Sequence, residues 1–253
     1  MKRLLWLALT PFLLFACEDK APSAGLVNLD VQFTGVFDGS PLQMYEQTYG
    51  YEDGMDLRFQ LFQFYVSDLA LIRSENNVES TVQLADIELV SFGDIQSAAD
   101  AAEGVTLSFE EVPAGNYSGL RMGLGVSADL NATQPGDYTP PHPLDNHYWS
   151  WARGYVFTKI EGNADLDGDG VFEQKLTFHI GENDYYRELV IEQPIEVGEG
   201  GKVSLEVDLG KVLKSDGGDY LNFREVTQDH TNNVEVASMI SDNLQQSIGV
   251  TQR

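Results

Sequence analysis

An all-β fold, an antiparallel β-sandwich with a short C-terminal helix laid against it, is the class this sequence predicts, and three observations predict it. Apolar residues alternate with period two in successive runs. Clusters of Gly, Pro, Asn and Asp separate those runs. Helical periodicity is scarce until the end of the chain.

The runs can be taken in order. In "LVNLDVQFTG", Val27, Leu29, Val31 and Phe33 share one face, with Asn28, Asp30 and Gln32 on the other. Leu57, Phe59 and Leu61 alternate likewise, but the phase then slips so that Phe62, Phe64 and Val66 take over. Such a slip is what a β-bulge or a change of sheet requires. "DIQSAADAAEG" allows a short helix or a loop turn. Leu120, Met122, Leu124 and Val126 form a further alternating set, as do Leu176, Phe178 and Ile180, and finally Val203, Leu205, Val207 and Leu209. Turn clusters such as "VPAGNY", "IEGNADLDGDG" and "VGEGGK" fall between them. In "NNVEVASMISDNLQQSIGV", Val234, Met239, Ile240 and Leu244 fall near one helical face, with Asn232 or Asn233 placed to cap its start. About eight to ten strands are expected on this pattern.

The N-terminus reads as an export leader. Lys2 and Arg3 precede an apolar run from Leu4 to Phe15, broken only by Thr10 and Pro11, which is too short to span a bilayer. It ends in "LFAC", where Cys17 is the only cysteine of the chain. The arrangement resembles the lipobox of bacterial lipoproteins, in which the thiol is acylated and becomes the new N-terminus. The expected organisation is a signal peptide over 1–16, a tether with lipidated Cys17 over 17–25, and one domain over 26–253. Glu18 follows the cysteine in place of the aspartate of an inner-membrane retention signal, so an outer-membrane anchor facing the periplasm or cell surface is expected. No thiol then remains for a disulfide or a cysteine-based site.

Forty acidic residues stand against fifteen basic ones, a formal net charge of −25. Such a surface repels phosphate backbones, which makes nucleic acid a poor partner, and it attracts cations. One acidic loop has a metal-like spacing. Asp165, Asp167, Asp169 and Glu173 form D-x-D-x-D-G-x-x-E, with the Val171 carbonyl as a further oxygen, so Ca²⁺ is a candidate ligand. The twelfth position is Leu176 and not Glu, which departs from an EF-hand. The same sequence suits a solvated Asp/Gly turn.

The four histidines are His142, His147, His179 and His230. On its strand His179 points opposite to Leu176, Phe178 and Ile180. His142 and His147 lie in a Pro-rich loop, and His230 just precedes the terminal helix. Neutral imidazoles suit copper or zinc, and two of them beside an indole or modified indole would favour Cu(I). There is no H-E-x-x-H for a zinc hydrolase, no G-x-S-x-G for a serine hydrolase, and no phosphate-binding loop with its lysine. Trp149 and Trp151 in "HYWSWARG" fall on the same side of an extended strand, where packing is the ordinary role of tryptophan.

Taken together, "FQFYVSDLALI", "HYWSWARGYVFTKIEG" and "LTFHIGEN" resemble the MbnP-like proteins. These are periplasmic or lipid-anchored copper-binding proteins related to the surface copper-binding proteins of methanotrophs. The resemblance covers most of the chain after the tether, and the aromatic and "FHIG" motifs are its most specific parts. It implies copper held by histidines and by a kynurenine made from tryptophan by a partner dihaem cytochrome c peroxidase-like protein. Trp149 or Trp151 would then be the modified residue, with ligands drawn from His142, His147, His179 and His230. The family usually has another residue type at the position aligned with His147.

The expected function is therefore a monomeric copper-binding lipoprotein, not an enzyme, that acts as a carrier or scavenger. A calcium-stabilised surface β-sandwich that binds glycan or protein is the main alternative. A copper enzyme with an open coordination position is a third.

Overall fold

The computed structural model describes residues 25–75, 78–150, 154–215 and 217–251. The leader, Cys17, the tether up to residue 24, and Trp151 lie outside the described residues. The principal strands in chain order are β1 (Leu26–Phe37), β2 (Asp56–Glu75), β3 (Val78–Ser91), β4 (Val105–Pro113), β5 (Gly119–Leu124) and β6 (Tyr148–Trp149). They continue with β7 (Gly154–Asp165), β8 (Gln174–Gly181), β9 (Arg187–Ile191), β10 (Gly201–Asp208), β11 (Gln228–Asp229) and β12 (Ile248–Val250). Three helices matter here: α1 (Ala98–Glu103), α2 (Leu209–Leu213) and α3 (Val234–Ser247).

The strands form an all-β sandwich of a five-stranded and a nine-stranded sheet, with a separate two-stranded ribbon. In the smaller sheet β1 lies antiparallel to β4 and parallel to β10, and β12 extends the far edge. In the larger sheet β2 is the spine, and its length lets it serve several partners. Its first part pairs with β7, its later part with β5, and β3 follows it from Gln63 to Glu75. The order then runs from β7 to β8 to β11 on one side and from β5 to β9 on the other.

The alternation seen in the sequence supplies the inner faces. Val31, Phe33, Leu205 and Val207 from the small sheet pack on Phe59, Phe62, Phe64, Ile160 and Phe178 from the large one. Phe33 meets Phe64 edge-on at 6.1 Å between ring centroids. The phase slip is a bulge: Gly162 pairs with Phe59 and Glu161 with Leu61, so Gln60 has no opposite residue. Phe62 is thereby turned inward and Leu61 is left only partly buried. A second slip lies between Ser67 and Ala70, where Asp68 takes φ 51°; the sequence pattern did not reveal it. The strands also outnumber expectation, because two- and three-residue pieces such as β6 and β11 are too short to show a period.

Segment Ala98–Glu103 is helical and opens with a capping box between Ser97 and Asp100. α3 is capped by Asn233, and it docks through Val236, Ala237, Ile240 and Leu244. Val234 stays exposed and Met239 is only partly buried, because both lie about 100° around the axis from that face.

What positions the site is a second, smaller apolar cluster on the outer face of the large sheet. Tyr65, Ile87, Val126, Leu144, Tyr155 and Phe157 form it beneath the excursion that joins β5 to β6. Buried hydroxyls pin that excursion down. Tyr65 donates to the Pro143 carbonyl at 2.6 Å and Tyr155 to the Leu144 carbonyl at 3.0 Å. Asn131 accepts from the Tyr155 N–H at 2.8 Å and donates to Asn183 at 2.9 Å. The excursion carries His142, His147 and Trp149, so its seating decides where those side chains fall.

Candidate metal centre

Strand β7 alternates Ile160 inward with Lys159 and Glu161 outward, and β8 alternates Phe178 and Ile180 inward with His179 outward. Lys159 and His179 are register partners, so Lys159, Glu161 and His179 form a polar patch on the outer face. The short strand β11 then adds beside β8 in parallel, with Gln228 opposite Thr177 and Asp229 opposite Phe178. The next residue along, His230, falls beside His179. Their ring centroids are 5.0 Å apart in an edge-on arrangement.

Thr231 locks that juxtaposition. Its hydroxyl accepts from the Gly181 N–H at 2.9 Å and approaches the His179 carbonyl at 3.4 Å. Asp229 accepts from the N–H groups of Asn232 and Asn233 at 3.0 Å, which fixes the turn into α3.

Trp149 arrives from the other side. β6 pairs Trp149 with Gly154 and Tyr148 with Tyr155, and the Val156 N–H donates to the His147 carbonyl at 2.8 Å. The indole lies on Gly181 so closely that a Cβ there would stand 2.9 Å from Cζ3. Its ring is 6.3 Å from that of His230. His179, His230 and Trp149 are thus brought together from three segments.

The remaining histidines are engaged elsewhere. His142 stacks on Tyr138 at 4.1 Å, and its Nδ1 accepts from the Leu144 N–H at 3.0 Å as a local cap. It makes no ring contact with His179 or His230 among the described residues. His147 adopts φ 57°, and its Nδ1 lies 2.7 Å from Lys159 Nζ. An ammonium only donates, so the Nδ1 lone pair is occupied and the ring proton sits on Nε2. In this arrangement His147 has no lone pair to offer a metal.

At His147 and His179 the surroundings favour the neutral ring. Burial, reinforced by Lys159, pushes the His147 pKa down to about 4. Burial also lowers that of His179, against the opposing pull of Glu161. Burial lowers the Lys159 value too, again opposed by Glu161. His179 Nε2 lies 2.7 Å from Glu161 Oε1. Its Nδ1, and both ring nitrogens of His230, have no hydrogen-bond partner among the described residues. Two imidazoles without a thiolate are a donor set that fits copper, and a pair with low coordination suits Cu(I).

A model of the MbnP family matches residues 27–239. The chain belongs to the MbnP family. That membership makes it, at family level, a methanobactin-related, copper-associated protein. No curated protein and no solved structure matches it. Within this MbnP chain, Lys159 and Glu161 were not singled out from the sequence. Their signal is present in "FTKIEG", where two charged residues alternate with an apolar one on a strand that faces a histidine.

The acidic loop joins β7 to β8. Ligand atoms of Asp165, Asp167 and Asp169 lie within 4.8 Å of one another, and this is the only such group of three among the described residues. Asp165 is fully buried and accepts from the N–H groups of Asp167, Gly168 and Gly170 at 3.2, 2.8 and 2.7 Å. Burial raises its pKa, but the amides outweigh burial and the net shift is downward. Asp169 accepts from the Val171 N–H at 2.8 Å, and Glu173 is exposed outside the cluster. The loop closes through its own amides, so its geometry is no argument for calcium.

Proposed function

We propose that this MbnP-family chain is a copper carrier or scavenger of the cell envelope. Copper would be held by His179 and His230 with a kynurenine formed from Trp149. The observation that supports this reading is the meeting of two imidazoles with unengaged nitrogens at the edge of a half-buried indole.

Indole has almost no ligand character. Oxidative cleavage of its C2–C3 bond inserts two oxygen atoms, and hydrolysis then releases formate, leaving an aniline nitrogen and a ketone. The oxidant would come from a dihaem peroxidase-like partner, and the acidic chain would suit docking to a basic patch on it. Trp151 is the alternative target. Acylation at Cys17 would tether the protein to the outer membrane, in the periplasm or at the cell surface. The role is that of a carrier and of a substrate for maturation, not of an enzyme.

The test is mass spectrometry of protein coexpressed with such a partner, joined to Cu(I) competition against a chromophoric chelator. Kynurenine at Trp149 and weakened copper binding in His179→Ala and His230→Ala are expected. Unmodified Trp149 and Trp151, with unchanged affinity in both variants, would overturn the reading.

A further inference from the structure

We infer that Glu161 is a positioning residue for copper: its carboxylate holds the proton of His179 on Nε2, so that His179 presents Nδ1 to the metal. The inference rests on the copper reading above and deepens it, by naming the ligating atom and the group that selects it.

The geometry is specific. Glu161 Oε1 and His179 Nε2 are 2.7 Å apart, with side-chain exposures of 29% and 16%. An ionised carboxylate only accepts, so the shared proton belongs to the imidazole nitrogen. While that bond holds, Nε2 cannot bind a metal, and Nδ1 is the remaining donor atom. A carboxylate behind a metal-binding histidine fixes ring orientation and raises ligand basicity.

The backbone shows why Glu161 is aimed there. The bulge at Gln60 falls directly opposite the Glu161–Gly162 step, and bulges re-aim neighbouring side chains. Gly162 must be glycine, because a Cβ there would lie 2.3 Å from the Arg58 carbonyl oxygen. Lys159, the nearest cation on the same face of β7, is taken up by His147, and Glu161 is left to His179.

Long-range ¹H–¹⁵N NMR of metal-free wild type, labelled on histidine, reads the tautomer directly. His179 is expected to be protonated on Nε2, and this bias should be lost in Glu161→Ala. Cu(I) competition should show a loss of roughly tenfold to a hundredfold in Glu161→Ala, with partial recovery in Glu161→Gln, which keeps an oxygen acceptor. A merely structural role would not move the tautomer. A wild-type proton on Nδ1, or wild-type affinity in Glu161→Ala, would overturn the inference and leave the copper reading standing. Failure of the wild type to take up Cu(I) at all would remove the copper reading, and this inference with it.

Discussion

Gly181→Ala should damage both the fold and the site, and the size of the effect follows from two distances. A Cβ at this position would sit 2.5 Å from the Tyr155 carbonyl oxygen and 2.9 Å from Trp149 Cζ3. The carbonyl belongs to β7, which is paired on both sides, so it cannot retreat cheaply. The indole can, and it would swing away from Gly181 and His230. Overpacking of this kind costs about 1–3 kcal/mol. At about 2 kcal/mol the melting temperature falls by roughly 4–8 °C in a chain of this size. Thermal unfolding followed by circular dichroism measures the loss, and tryptophan fluorescence reports the displaced ring. Gly198→Ala is the control, since nothing lies within 4 Å of a Cβ there. If Gly181→Ala melts with Gly198→Ala and keeps the wild-type emission, the close seat of Trp149 on Gly181 is wrong.

Other predictions test the supports of the site. His147 titrates well below its ordinary value of 6.5, so the unfolded chain binds more protons between there and about 4, and stability falls as the pH drops through that window. Urea unfolding across this range should show a shallower pH dependence in His147→Phe than in wild type; equal slopes would refute it. Tyr155→Phe leaves the buried Leu144 carbonyl without its 3.0 Å donor, which costs about 1 kcal/mol. Limited proteolysis should then cut the excursion between β5 and β6 faster. Asn233 accepts from the N–H groups of Glu235 and Val236 at 3.2 and 3.3 Å, so Asn233→Ala should cost about 1 kcal/mol in denaturant unfolding.

Much of the sandwich is legible in the sequence because burial follows the strand period residue by residue. Leu176, Phe178 and Ile180 had to share a face, and His179 had to oppose them. The slip after Leu61 announced a bulge or a change of sheet, because one extra residue inverts every side chain beyond it, and the register against β7 decided for the bulge. The tip of the site was harder to read. β11 is two residues long and carries no alternation, so nothing local tells that it adds to β8 and brings His230 to His179. The excursion that holds His142, His147 and Trp149 is likewise set by hydroxyl and amide contacts to distant carbonyls.

Local pattern alone therefore determined the all-β class, the inward and outward faces, the capped terminal helix and the four imidazoles as candidate donors for copper or zinc. Only the tertiary structure separated those residues by role. It paired His179 with His230, seated Trp149 on Gly181, gave His147 to Lys159, and left His142 as a cap. The physical reason is that a side chain's period is fixed by its own backbone, whereas its partner is fixed by the register of strands far away in the chain.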